Sequence, residues 1–371
     1  MRTFAFLAGL LLSAVSFAGT ITITEPADGD FLGRSNQIRF NITNAVQKVR
    51  VTAKATQVAN PTISVTVFID VTPDTAGKAS GTLNLNFADT QPNGPYTLAI
   101  TATEPGNSYN VPTPLNVTVD VVNPEFINFN PINGVFVRDM VLISALFDED
   151  NIEEWRVKVA GNDIPNNTGN TSTAIVQWDT SAISSDGQRN IDISIEDKAG
   201  NRANKSFNVT IDRLAPSSTV LSPTGDLDLR PGQRIPVVID VQDQFANAVD
   251  PRGVEVTITD LQGNLLARVA RIGTNSNGNT LNWVGRIRDT SDLPSAFKIV
   301  VDVRDRAGNQ ALRQEVTVQS GRAVNTTPVE PPQPVNSDTV ERVGERSRFR
   351  AIKAQAERRQ SSRSRAQRNG K

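Results

Sequence analysis

The stretch Ile191-Asp192-Ile193-Ser194-Ile195-Glu196-Asp197-Lys198-Ala199-Gly200-Asn201 alternates apolar and polar residues, then halts at an Asp-Lys-Ala-Gly-Asn run. A period of two places Ile191, Ile193 and Ile195 on one face, as a half-buried strand requires and a helix does not. The halting run reads as a turn. Its Asp can accept from backbone N–H groups just ahead, its Gly is free to take positive φ, and its Asn tolerates the left-handed region. The same phrase returns 108 residues later, where Ile299, Val301 and Val303 precede Asp305-Arg306-Ala307-Gly308-Asn309. A degraded copy lies earlier, with Leu98, Ile100 and Ala102 ahead of Glu104-Pro105-Gly106-Asn107. Recurrence at this spacing marks an internal repeat of whole domains.

Working outward, the strand before each copy ends in an aromatic: Leu83 to Phe87, Ile175 to Trp178, and Leu281 to Trp283. Another alternating run comes before that, at Val49/Val51, Trp155/Val157/Val159 and Val254/Val256/Ile258. Each unit opens on a proline-glycine turn, at Pro26 and Gly29, Pro131 and Gly134, and Pro223 and Gly225. Each closes on a last strand, at Leu115/Val117/Val119, Phe207/Val209/Ile211 and Val316/Val318. In the third unit Gln262-Gly263-Asn264 marks a hairpin. About seven short strands in roughly 90–105 residues is the pattern of an immunoglobulin-like β-sandwich. The expected fold is all-β: three tandem sandwiches, a Pro-rich linker and a basic tail that is either disordered or a marginal helix. The expected boundaries are a signal peptide over 1–18, a divergent first domain over 19–122, a second over 123–213, a third over 214–319, and linker and tail over 320–371. Junctions this short, each with a proline, predict a semi-rigid array.

The phrase Ile211-Asp212, Ala215-Pro216, Leu221-Ser222-Pro223 and Gly225 resembles the opening of bacterial Ig-like repeats of exported and surface proteins. The Asp-x-Ala-Gly-Asn turns resemble the turn before the last strand of those repeats. The likeness runs from Gly19 to about Val318 and is strongest in the second and third units. The first unit departs from it at Glu104-Pro105 and carries a longer insert from Ala55 to Lys78. The resemblance implies a setting of spacers, adhesin stalks and accessory modules, and no particular ligand.

The chain contains no cysteine and no histidine. Disulfides, thiolate nucleophiles, Ser-His-Asp and Cys-His machinery and the usual zinc ligand sets are therefore excluded. Carboxylate-only hydrolysis is left as the one open enzymatic route, and it needs two acids facing across a cleft. No catalytic, cofactor or metal residue is assigned, and the expected function is non-catalytic. Arg2, the apolar run Phe4 to Val15, and Ser16-Phe17-Ala18 read as an export signal cleaved after Ala18. No other segment approaches membrane-spanning length. The expected location is extracytoplasmic, in association with the cell envelope.

Charge is uneven. Thr339 to Lys371 holds eleven Lys/Arg against Glu341, Glu345 and Glu357, a net of +8, so residues 1–338 carry −9 of the chain's −1. Such an arm attracts envelope polyanions or an acidic surface protein, and no base-reading motif points to specific nucleic acid. The alternative is an adhesin or carbohydrate-binding module that contacts protein or glycan through sandwich-end loops. Trp155, Trp178 and Trp283 could stack sugars, but their places in alternating strands assign them to the core. Tyr96 is a candidate tyrosine corner, with Arg189 and Phe297 at the matching places. The acidic run Asp148-Glu149-Asp150-Asn151, and Asp240 and Asp243 at the matching place in the third unit, can be read either as solvated loops or as calcium sites. The Asp-x-Ala-Gly-Asn turns are read as structural, because an efficient calcium site needs several carboxylates that converge.

Overall fold

The computed structural model describes residues 19–223, 233–319 and 322–329. The export signal, Gly225 of the third opening turn, and the basic arm from residue 339 lie outside the described residues. The chain folds as two compact units. Of the described residues, one comprises those from 19 to 125 with the segments 149–154 and 195–203, and the other comprises 126–148, 155–194 and those from 204 to 329.

Strand pairing builds three sandwiches, each from two sheets. The first has Ala79–Asn86, Ser35–Thr43, Gly19–Glu25 and Tyr109–Asn110 in one sheet. Its other sheet holds Phe31–Leu32, Leu115–Val119, Gly94–Thr103, Val49–Gln57 and Ser64–Val71. The second pairs Glu125–Asn130, Met140–Asp148 and Thr173–Asp179. Its opposite sheet holds Phe136–Val137, Arg202–Ile211, Gly187–Asp197, Ile152–Val159 and Asn162–Gly169. The third joins Ser217–Ser222, Ile235–Gln242, Thr280–Ile287 and Ala270–Asn277. Facing them are Leu265–Arg268, Val254–Thr259, Ala296–Val303, Arg313–Gln319 and Arg322–Val329. No α-helix occurs among the described residues.

The opening turns have a topological task. Gly19–Glu25 pairs antiparallel with Ser35–Thr43, and after the Pro26 to Gly29 turn Phe31–Leu32 pairs parallel with Leu115–Val119 in the other sheet. Phe136–Val137 makes the same parallel pairing with Thr210 and Ile211. A first strand that changes sheets contributes to both sheets along one side of the sandwich, which is how immunoglobulin-like folds limit exposed backbone there.

Alternation becomes the core directly. Val49, Val51, Ala53 and Ala55 are all buried, and so are Ile191, Ile193 and Ile195, and Ile299, Val301 and Val303. Trp155, Trp178 and Trp283 lie inside, as their strand positions predict. Tyr96 is fully buried and donates its hydroxyl to the Pro92 carbonyl at 3.0 Å, which is the tyrosine-corner latch. The matching Arg189 performs the same latch by another chemistry, donating to the Ser185 carbonyl at 2.7 Å. Phe297 has only its buried ring. Two of the strands that the sequence reading did not place lie at sheet edges. The insert of the first unit supplies Ser64–Val71, an edge strand along Val49–Gln57. Arg322–Val329, placed in the linker from composition, adds an edge strand to Arg313–Gln319.

Candidate metal centre

The Asp-x-Ala-Gly-Asn turns hold themselves together as expected. Asp197 Oδ1 accepts from the N–H groups of Ala199 and Asn201, both at 2.9 Å, and Gly200 sits at φ +82°. Asp305 Oδ1 accepts from the Asn309 N–H at 2.7 Å. In each turn the Asn amide also donates to the other carboxylate oxygen, at 2.8 Å for Asn201 and 2.7 Å for Asn309.

The same asparagines reach further than a turn requires. Asn201 Nδ2 donates to the Asp120 carbonyl, and Asn309 Nδ2 to the Asp212 carbonyl, each at 2.9 Å. Their Oδ1 atoms accept from Arg34 at 2.7 Å and from Arg138 at 3.1 Å. Each amide thus ties the turn to the residue that follows the preceding sandwich's last strand. That tie carries an acid with it.

Two carboxylate triads result, Asp120–Glu149–Asp197 and Asp212–Asp243–Asp305, each with one oxygen per residue within 4.8 Å of the others. The residues come from equivalent places. Asp120 and Asp212 directly follow Leu115–Val119 and Arg202–Ile211. Glu149 and Asp243 directly follow Met140–Asp148 and Ile235–Gln242, and Asp197 and Asp305 open the turns. The first triad lies wholly within the first compact unit and the second wholly within the second.

The two differ in how their oxygens are satisfied. Asp120 Oδ1 accepts from Asn93 at 2.6 Å and from the Val122 N–H at 3.0 Å, and Glu149 accepts from the Asn151 N–H at 2.7 Å. In the second triad Asp212 is 0% exposed and Asp243 7%, yet Oδ2 of each has no hydrogen-bond partner. Their other oxygens accept from Gln244 Nε2 at 2.7 Å and from the Phe245 N–H at 3.2 Å. Like charges this close cost about 3–4 kcal/mol per pair at an effective dielectric near 20. Burial, with the charges of Asp243 and Asp305 added, pushes the Asp212 carboxyl up to about 6 against the Gln244 hydrogen bond. Burial is also the main cause that raises Asp243, Asp197 and Glu149 above the usual carboxylate range.

The first sandwich has no such triad among the described residues. Asn44 follows Ser35–Thr43, at the place of Glu149 and Asp243, and Glu104 stands at the turn acid. Burial disfavours the Glu104 anion. Donors on Tyr109, Asn107, Gln47 and Val46 outweigh that and hold its carboxyl below the usual range.

Of the acids in the loops singled out from sequence, Glu149 and Asp243 each enter a triad. Asp148 is half-buried and Asp150 exposed, and neither joins one. Asp240 points away from the core and takes a hydrogen bond from Gln242 at 3.1 Å. Sequence reasoning missed Asp120 and Asp212, met Glu149 only as part of the acidic run Asp148–Asn151, and preferred a turn role to a calcium role for Asp197 and Asp305. The usable signal was the shared place of Asp120 and Asp212 just past a last strand. The structure supplies the convergence of carboxylates that the sequence reading found wanting at these turns.

No cluster of exposed aromatics offers a sugar platform among the described residues: all three tryptophans are buried and Phe68 stands exposed by itself beneath the Arg50 guanidinium. An open groove of about 470 Å³ on the third sandwich meets Arg252, Arg268, Arg271 and Glu255.

The architecture is a tandem of immunoglobulin-like sandwiches. Neither a family model nor a curated relative matches the chain. Solved structures do. The I67–I69 fragment of the titin I-band has a TM-score of 0.32 and 13% identity, with 81% of this chain and 97% of that one covered. Fibronectin(III)-like modules of Clostridium thermocellum CbhA reach 0.31 at 15% identity, over 52% and 93%. An adhesin described as Ca2+-stabilized, with which an Antarctic bacterium binds ice, reaches 0.31 at 16% identity, over 87% and 78%. At these scores the likenesses assign no ligand and no activity.

Proposed function

We propose that this chain is a non-catalytic, extracytoplasmic structural and interaction protein, in which the sandwiches act as a spacer and the basic tail provides attachment to an acidic envelope component. The observation that carries the spacer role is the use of functional-looking residues for cohesion. The tryptophans fill cores, and the recurring Asp and Asn side chains bond turn to linker. A carboxylate hydrolase needs acids facing across a cleft, whereas the two triads are packed beside linkers within 4.8 Å. Among the described residues no helix is long and apolar enough to cross a membrane.

Support for tail attachment is the charge asymmetry, +8 in residues 339–371 against −9 in the rest. Polyanion contacts of this kind weaken as salt screens them. The test is fractionation of cells that express the intact chain or a version lacking residues 339–371, at low and moderate salt. Envelope retention should fall on truncation and on adding salt. Retention unchanged by both treatments would remove the attachment role.

A further inference from the structure

We propose that Asp212, Asp243 and Asp305 bind one divalent cation of the calcium class, which fastens the third sandwich to the linker that follows the second. The inference goes beyond the spacer role and does not depend on tail attachment.

Several independent observations carry it. Two of the three carboxylates present a buried oxygen with no hydrogen-bond partner, Asp212 Oδ2 and Asp243 Oδ2. A buried anionic oxygen is among the costliest groups to leave unmet. Among the described residues no Lys or Arg forms an ion pair with any of the three. The nearby guanidiniums are engaged elsewhere, Arg213 on Asp186 at 2.6 Å and Arg138 on Asn309 and Asp139. The neutralising charge is therefore not built into the described protein.

The chemistry of the donors selects the ion. With no His or Cys anywhere in the chain, the available ligands are carboxylate, amide and carbonyl oxygens, which suit hard cations. Oxygens that share one calcium lie about 2.3–2.6 Å from it, so they are separated by at most about 5 Å. The three carboxylates meet that limit, all within 4.8 Å. Magnesium, at about 2.0–2.1 Å with strict octahedral demands, would need a tighter cage.

The repeat supplies an internal control. Acids fill all three positions at both places where one sandwich follows another. In the first sandwich the strand-end position is Asn44, and the turn acid Glu104 is met by protein donors. Where three acids meet in the third sandwich, two buried oxygens are left without donors, whereas the lone turn acid of the first sandwich has its donors built in.

The test is calorimetric titration of calcium chloride into the chelator-stripped chain, with magnesium chloride as the comparison. Calcium should bind with a dissociation constant below millimolar and at least tenfold tighter than magnesium. Asp243→Asn preserves the volume and the Phe245 contact. It should remove one site from the stoichiometry or weaken binding at least tenfold, and Asp212→Asn should do the same. Circular dichroism of both variants checks folding, and either one that folds suffices. Asp240→Asn, on the outward side of the same strand, should bind like the parent. Absence of calcium binding to the parent up to about 10 millimolar, roughly tenfold beyond the weak end for extracellular calcium modules, would overturn the assignment. So would unchanged binding in a folded D243N or D212N, or an equal loss in D240N.

Discussion

Replacing Asp212 by Asn should stabilise the metal-free protein and destabilise the calcium-loaded one. The folded chain holds the Asp212 proton more tightly than the unfolded chain does, its carboxyl standing at about 6 against an ordinary 3.8. By linkage the penalty is absent below the ordinary value, grows as pH rises between the two, and is complete above the folded one. The full difference corresponds to about 3 kcal/mol lost at neutral pH. Asn removes the charge and keeps an oxygen for Gln244 Nε2. Because it also loses solvation compensated in part by relaxation, the recovered stability is about 1–3 kcal/mol, or roughly 2–10 °C in Tm for a unit of this size. Calcium at a thousand times its Kd should add about 4 kcal/mol to the parent and little to the variant's altered site. Thermal unfolding by circular dichroism, in chelator and then in calcium near neutral pH, should therefore show the order of the two proteins reversing. A D212N protein less stable than the parent in chelator would refute the electrostatic reasoning. Equal calcium responses would refute the site.

Three further outcomes follow from named contacts. Glu104→Ala should cost the first sandwich roughly 2–4 kcal/mol by orphaning donors on Tyr109, Asn107, Gln47 and Val46. Because the Glu104 pKa is lowered in the fold, its contribution is present above the ordinary carboxylate range and lost as pH falls through the lowered value. Urea unfolding of parent and variant should thus converge in acid. Tyr96→Phe should cost about 1–1.5 kcal/mol, since the Pro92 carbonyl and the Gln91 amide both lose the hydroxyl, measured by the same urea midpoint. Gly285→Ala would set a Cβ 2.4 Å from the Trp283 ring and 2.9 Å from Val269, and should destabilise the third sandwich by about 1–3 kcal/mol through overpacking, with quenching or shift of Trp fluorescence reporting the displaced ring.

The fold was legible because its signal is local and repeated. Ile191, Ile193 and Ile195 show their buried face within five residues, and two other copies confirm the register. The tyrosine corner was readable for Tyr96 because a phenol is the familiar donor. The equivalent latch of Arg189 went unread because a long exposed cation suggests solvent, and only its bond to Ser185 shows otherwise. Arg322–Val329 was hidden by Pro328 and its two threonines, which resemble a linker until an edge strand is there to pair with.

What the sequence determined alone was the in-and-out rhythm, the turns that end it, the exclusion of His and Cys chemistry, and the split of charge between body and arm. Those properties depend on neighbours within a few residues or on simple composition. The triads depended on tertiary structure. Asp212 follows a last strand, Asp243 lies past the second strand of the next sandwich, and Asp305 opens a turn that satisfies itself locally. Asp243 alone of the three drew notice in its own segment, and there only as part of an acidic loop. They become a site only when strand pairing brings a linker, a loop and a turn to one end of a sandwich and withdraws the water that would have screened them.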